Sequence, residues 1–364
     1  MLKSDLDTPA LILDLDLFEE NLKKMRDYAA SYGKKLRPHA KTHKCPEIAR
    51  RQLAMGNCAG ICAAKLSEAQ ALAQAGIQDI LITSPVTAPW KIRKAAALNQ
   101  QISGLQLTVD NPEQVKMLAR EAGSKAIHVV IDVDPEMGRT GVPFDQAAAF
   151  GDFISQFPQL ILDGVQCYAG HLQHITSYAL RAAESSRLMQ KGAEVFRQLA
   201  ARYPSCTIFT GTGTGTSPAD LLIPEVTDIQ VGSYCMMDSE YLAVEHGGPR
   251  YAAALKMISS VISANHPGNA TIDAGTKAIY VTPGAPAQVV KNNLPCPGFS
   301  YDWDFGDEHG HLRFPENVSL FPGERVELIV SHCDPTVNLF DELFIVQKEK
   351  VVDTWKISLR GCCR

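Results

Sequence analysis

Eight short apolar runs, at about residues 35–41, 60–64, 79–84, 104–109, 126–133, 160–168, 206–210 and 228–234, alternate with stretches of helical periodicity such as Glu68–Gly76. Alternation of this kind predicts a parallel sheet in which strands are followed by helices. Eight is the strand count of a closed (β/α)8 TIM barrel. The run Ile127-His128-Val129-Val130-Ile131 is nearly continuous in its apolar character, as expected of a strand covered on both faces. Periodicity alone leaves a doubly wound open sheet as the alternative. Ahead of the first run, residues 16–32 read as an amphipathic helix, with Leu17, Leu22, Met25, Tyr28 and Ala29 near a 3.6-residue spacing and a stop at Gly33.

From about residue 255 the texture changes. Strand-like runs at Met257–Ser263, Ala270–Asp273, Lys277–Val281, Arg325–Ser331 and Glu342–Val346 are separated by turns rich in Pro and Gly, which predicts an antiparallel β domain. At 364 residues the chain exceeds the roughly 250–300 residues that one core usually spans. The expected division is therefore a barrel over 1–254 and a β domain over 255–364, with residues 1–14 packing with the second part. With 45% hydrophobic and 21% charged residues the composition is that of a globular protein, and a net charge of −5 argues against nucleic acid as a partner. No apolar run reaches about 18 residues and the N-terminus lacks a signal peptide's apolar segment, so the expectation is a cytoplasmic protein that meets no membrane. Ten cysteines include no CxxC pair, which in a reducing compartment makes most of them small core residues. Cys362 and Cys363 read as an oxidisable tail.

In a parallel barrel the loops after the strands all open on one face, so the strand tips collect the chemistry. The first tip is Leu36-Arg37-Pro38-His39-Ala40-Lys41-Thr42-His43-Lys44, with a helix start at Pro46. A crowded lysine gives up part of its preference for the charged form and can become a nucleophilic amine, and Lys41 is the candidate for a Schiff-base lysine. Lys and His are also common at strand ends simply because the chain there meets water. The fifth tip leads to Met137–Val142 and the sixth to Tyr168, His171 and His174. The seventh and eighth supply Thr210-Gly211-Thr212-Gly213-Thr214-Gly215-Thr216 and Gly232-Ser233-Tyr234, where phosphate sites of such barrels commonly lie. Thr212, Gly213, Thr214, Gly232 and Ser233 are the expected phosphate-binding residues, with Tyr234 beside them in the cofactor site. His171 and His174 are either general bases or packed tip residues, with His174 the candidate base. In the β domain, His332 and Asp334 stand two apart. On an extended segment they would share one face and could hold a divalent metal, although such a pair is by itself a weak motif.

The first tip, together with Thr8-Pro9-Ala10-Leu11-Ile12-Leu13-Asp14, resembles the pyridoxal-phosphate enzymes of the alanine racemase fold. Within them it is similar to the branch containing D-threonine aldolases and D-serine dehydratases, whose cofactor lysine lies in an Arg-Pro-His-x-Lys-Thr-His-Lys pattern. The resemblance implies pyridoxal 5'-phosphate on Lys41, Arg139 near the cofactor's phenolic oxygen and Tyr168 lining the ring pocket. It also implies a metal on His332 and Asp334, where Pro335-Thr336-Val337-Asn338-Leu339 matches as well, and it makes a homodimer plausible. In Asp302–His311, by default a solvated loop, it suggests that Glu308-His309-Gly310 borders the site, and it makes Asp273–Lys277 a structural turn. D-serine dehydratases place Cys where this chain has Asp334, whereas the aldolases place Asp. An oxygen ligand suits Mn²⁺ or Mg²⁺, with Zn²⁺ or Co²⁺ also able to bind. With Asp at 334, the resemblance implies a D-threonine aldolase-type lyase that cleaves D-β-hydroxy-α-amino acids to glycine and an aldehyde. The alternatives are a D-serine or 3-hydroxyaspartate dehydratase with the same cofactors and, more distantly, a non-catalytic protein that carries pyridoxal phosphate.

Overall fold

Pro46, Pro89 and Pro112 each occupy the first turn of a helix, where a missing backbone N–H costs nothing. In the computed structural model, which describes residues 1–364, these prolines turn the chain from strand to helix three times. Strand β1 (Ala10–Asp14) and helix α1 (Leu15–Ser31) come first, with Asp14 capping α1 by accepting the Leu17 N–H at 3.2 Å. The alternation then runs β2 (Lys35–Leu36), α2 (Pro46–Ala54), β3 (Ile61–Ala63), α3 (Leu66–Gln74), β4 (Asp79–Ile82), α4 (Pro89–Gln101), β5 (Gly104–Val109) and α5 (Pro112–Glu121). It continues with β6 (Ile127–Val133), α6 (Ala147–Ile154), β7 (Leu160–Cys167), α7 (Tyr178–Ala200), β8 (Ile208–Gly211), α8 (Ser217–Asp220), β9 (Asp228–Ile229) and α9 (Ser239–Leu242).

Each apolar run of the first part carries one strand of a parallel eight-stranded sheet in the order β2-β9-β8-β7-β6-β5-β4-β3. The bridges Leu36–Cys58 and His39–Cys62 join its two ends, so the sheet closes and the open doubly wound alternative falls away. The second sheet is built from β10 (Leu255–His266), β11 (Asn269–Ile272), β12 (Gln288–Lys291), β13 (Leu294–Pro295), β14 (Ser300–Asp302), β15 (Gly310–Arg313), β16 (Arg325–Ile329), β17 (Glu342–Gln347) and β18 (Lys350–Lys356). Between β16 and β17 lies the short helix α10 (Cys333–Val337).

Strand β1 belongs to this second sheet, antiparallel to β10 and parallel to β17. The chain therefore starts in one sheet, builds the barrel, and returns. Residues Lys277–Val281, expected as a strand, form a turn instead: the N–H groups of Ala278 and Ile279 both donate to the Gly275 carbonyl. The buried side chains of Ala278 and Ile279 account for the apolar run, which marks burial and not extension. One contiguous cluster of 84 buried residues, from Leu11 to Leu359, runs through both sheets and their helices. No helix is long and apolar enough to cross a membrane.

Candidate active site

Beyond β2 the parallel ladder continues through the N–H groups of Arg37 and His39, which donate to Ile229 and Val231, and this fixes the first tip against the eighth strand. Two residues later Lys41 projects into a cavity of about 670 Å³ at the strand tips, lined by His39, Lys41, Arg139, Tyr168, His171, Thr214, Gly232 and Ser233 among others. Its ammonium lies 2.8 Å from Asp334 Oδ2, a contact across 293 positions of sequence that joins the barrel to the second sheet. The Asp334 charge raises the Lys41 pKa against the opposing effect of burial. Burial alone would raise Asp334, but Lys41 and His332 hold it well below the ordinary carboxylate range. The contact therefore favours the charged form of both groups, the opposite of the crowding effect expected for Lys41 from the sequence, because the carboxylate outweighs burial. His39, Nε2 3.1 Å from Thr83 Oγ1, is held neutral by burial.

The loops after β8 and β9 face this amine. The backbone N–H groups of Thr214 and Gly232 make no hydrogen bond within the chain. Gln173 braces the Gly-Thr run, its amide oxygen accepting the Gly215 N–H at 3.0 Å and its nitrogen donating to Thr216 Oγ1 at 3.2 Å. A side chain at Gly213 would collide with the Gln173 amide, and one at Gly232 with Thr42 Oγ1, so both positions need glycine for close approach. Thr212, expected among the phosphate ligands, is instead a buried residue in the left-handed region at φ 68°, outside the cavity lining. Tyr234 is also displaced from its expected role. Its ring is buried against Tyr251, its hydroxyl accepts from Gln52 at 3.3 Å, and its N–H donates to Thr214 Oγ1 at 3.2 Å.

Arg139 lines the cavity with its guanidinium 5.4 Å from the centre of the Tyr168 ring. Its loop is pinned on both sides: Asp134 Oδ1 accepts the N–H groups of Met137 and Gly138, and Thr140 Oγ1 donates to Asp132 Oδ2 at 2.7 Å. Burial pushes the Asp132 pKa up to about 6. His171 lines the cavity. His174 does not; its ring packs 4.6 Å from that of Tyr241 and 6.1 Å from that of His332, and burial lowers its pKa.

His332 and Asp334 are not on one extended segment. His332 stands at the N-cap position of α10 and Asp334 lies inside its first turn, so a helical turn and not a strand's period sets the two side chains, with Asp334 on Lys41 and His332 on Asp238 and Glu240. The sequence reading passed over Asp238 and Glu240, which meet His332 Nδ1 at 3.0 and 3.2 Å. Their only local signal is an Asp at the N-cap of α9. Residues 302–311 do not line the cavity; Asp304 pairs with His311 and Arg313, and Glu308 with Lys277. Asp273 is structural, accepting from Thr8, Ser259 and the Ser260 N–H. A second hollow of about 760 Å³ lies against the second sheet around Lys3, Lys256 and Glu327, where each lysine faces a carboxylate.

The family described as alanine racemase, N-terminal domain, matches residues 13–240, and a serine dehydratase domain family matches residues 254–346. A D-threonine aldolase from an Arthrobacter species is 37% identical over 98% of this chain and 94% of its own length. This chain belongs to the D-threonine aldolase family. That membership makes it a carbon–carbon lyase of the D-threonine aldolase type. Another relative, a 3-hydroxy-D-aspartate aldolase from Paracoccus denitrificans, is 32% identical over 99% of this chain and 93% of its own. The crystal structure of a D-threonine aldolase from Filomicrobium marinum superposes with a TM-score of 0.94 at 33% identity, covering 100% of this chain and 99% of that one.

The D-threonine aldolase family implies pyridoxal phosphate, and the residues present fit it. An amine, a cationic Arg139 and two unpaired N–H groups in the loops after the seventh and eighth barrel strands converge on one cavity. A divalent cation also fits. Asp334 Oδ1 is buried without a hydrogen-bond partner, and the polar contacts of His332 all run through Nδ1, leaving Nε2 as a donor.

Proposed function

We propose that this chain cleaves D-configured β-hydroxy-α-amino acids to glycine and an aldehyde, with pyridoxal 5'-phosphate on Lys41 and a divalent cation (Mn²⁺, Mg²⁺, Zn²⁺ or Co²⁺) on His332 and Asp334. The observation that supports this reading most directly is the 2.8 Å contact between Lys41 and Asp334, which sets the amine beside the expected cation ligand. Pyridoxal phosphate, when bound, supplies an electron sink for the pair left at Cα. A cation on His332 and Asp334 would lower the pKa of the substrate's β-hydroxyl, as it does for water.

The remaining work falls to the chain's own groups. The N–H groups of Thr214 and Gly232, with Ser233, bind the phosphate, and Arg139 places positive charge at the phenolic oxygen. Tyr168 packs beside Arg139 and keeps the ring pocket narrow. His174 lies behind Tyr241, which lines the cavity, and its lowered pKa leaves it neutral; Glu240, 3.5 Å from Nε2, keeps a proton on that nitrogen, so the hydroxyl proton is taken on Nδ1. As that proton leaves, the Cβ–O bond becomes a carbonyl, the Cα–Cβ bond breaks and its electron pair stays with Cα, where a proton is taken up to give glycine in balance with the one His174 removed.

The match to a serine dehydratase domain over residues 254–346 favours a second reading, elimination of the β-hydroxyl to ammonia and a keto acid. Product analysis with a panel of D-β-hydroxy amino acids and added metals separates the two. Aldehyde and glycine are expected from D-threonine; ammonia and a keto acid would overturn the aldolase reading. A soluble homodimer in the cytoplasm is the setting proposed for this activity.

A further inference from the structure

Asp238 lies between β9 and α9 with its side chain fully buried, and its two oxygens meet two backbone N–H groups and a ring nitrogen at once. Oδ1 accepts the Tyr241 N–H at 3.0 Å as the cap of α9. Oδ2 accepts the Cys333 N–H at 2.9 Å and lies 3.0 Å from His332 Nδ1. Glu240 Oε2 approaches the same His332 nitrogen at 3.2 Å and His174 Nε2 at 3.5 Å. A carboxylate thus faces His332 on the side away from its free nitrogen. An imidazole binds a cation through an unprotonated nitrogen, and a carboxylate on the other nitrogen holds the proton there, setting both tautomer and ring plane.

We propose that Asp238 is a positioning residue for the metal: it holds His332 as the Nδ1–H tautomer with Nε2 turned to the cation it shares with Asp334. Glu240 ties the same ring to His174. The inference rests on the reading of His332 and Asp334 as cation ligands. Oxygen and nitrogen atoms of Asp238, Glu240 and His332 all lie within 4.8 Å of one another, so these three could in principle clasp a cation themselves. The hydrogen bonding argues against that arrangement. A cation there would need His332 Nδ1 bare, and it would compete for Asp238 oxygens that satisfy the buried amides of Tyr241 and Cys333, which are costly to leave unpaired.

The test is Mn²⁺ binding to the full-length, cofactor-loaded protein, followed by the free-ion paramagnetic signal. It is combined with ¹⁵N-histidine NMR of the metal-free protein at alkaline pH. Asp238→Asn, which keeps one acceptor oxygen for the two amides and loses the charge, is expected to weaken Mn²⁺ binding about 10- to 100-fold. It should also shift His332 from the Nδ1–H tautomer to a mixture, with the cofactor absorbance of wild type and a metal-free melting temperature lowered by the one amide that loses its acceptor. Asp238→Glu should recover part of the affinity, which a purely structural role would not predict. If Asp238→Ala does not fold, the Asn and Glu variants still decide the matter. Wild-type affinity and tautomer in Asp238→Asn would overturn the proposal. So would loss of Mn²⁺ in Glu240→Ala with full binding in Asp334→Ala, because the cation would then sit on the three-donor cluster. Unchanged Mn²⁺ binding in both His332→Ala and Asp334→Ala would instead overturn the ligand assignment beneath the proposal.

Discussion

Between Lys41 and Asp334 lie 293 positions of sequence and 2.8 Å of space, and the site's electrostatics start from that pair. Asp334 answers the lysine with one oxygen while its other oxygen has no partner, so the carboxylate is placed to serve a second cation. Asp334→Asn keeps the shape and removes the charge. The expected outcome is retained cofactor absorbance with activity lower by on the order of 10²-fold or more, whereas Lys41→Ala should lose the absorbance itself. Full activity in Asp334→Asn after exhaustive chelation would defeat the metal reading. Two positions further along, His43 is fully buried with Nδ1 accepting the Cys45 N–H at 3.1 Å, and burial lowers its pKa to about 4 from the 6.5 of the open chain. The folded state then binds fewer protons than the unfolded state between those values. Its contribution to stability is whole above pH 6.5 and is lost as pH falls through about 4. Melting temperatures measured across that window should fall in wild type and fall less in His43→Gln; equal slopes would show that His43 does not set the acid limit. Strand tips of a barrel share one face, which placed Lys41, Arg139 and Tyr168 together, and the resemblance supplied their expected roles; the structure lines one cavity with all three. Asp238 was not legible in the sequence, since its partner His332 is 94 residues away and no local pattern announces the pairing.

At the scale of elements, the loops after β8 and β9 are joined by the Tyr234 N–H donating to Thr214 Oγ1 at 3.2 Å, while Gln173 and Thr42 leave no room for a side chain at Gly213 and Gly232. Gly232→Ala would push Thr42 Oγ1 aside or displace the loop that offers the Gly232 N–H. Cofactor affinity in absorbance titrations is expected to drop by about tenfold, the loss of roughly one charge-assisted hydrogen bond. Adding Thr42→Ala to Gly232→Ala should restore part of that affinity, and a double variant no better than the single one would place the damage elsewhere. The eight barrel strands could be read directly because strands buried on both faces carry their burial in their composition. The short elements could not. The helix α10 is only five residues long, too short to show a 3.6-residue period, so His332 and Asp334 were expected on an extended segment. Tyr234 misled for another reason: it follows Gly232-Ser233 in the phosphate loop, but a single turn of 3₁₀ helix over Ser233–Cys235 rotates its ring into the core.

At the scale of the whole molecule, β1 is the stitch between the two sheets' parts of the chain. Leu13 is fully buried and stands opposite Leu255 of β10 on one side and Ile345 of β17 on the other. From Asp14 the chain passes directly into α1, which packs beside β2, so the strand that completes the second sheet is anchored by the first helix of the barrel. Thr8 adds a polar tie just ahead of it, donating to Asp273 at 2.5 Å and accepting from Arg325 at 2.9 Å. The main apolar cluster of 84 residues spans both sheets, which couples their melting. Leu13→Ala should therefore cost about 2–5 kcal/mol, the usual range for a buried leucine, and the loss should appear as a lower midpoint of a single calorimetric transition. Because Lys41 is supplied by the barrel and Asp334 by the second part, the cofactor absorbance should disappear within that same transition. Two resolved transitions in Leu13→Ala, with the absorbance surviving the first, would show that the barrel holds its cofactor without the second sheet, and that the contact between residues 41 and 334 is not needed to keep the site assembled.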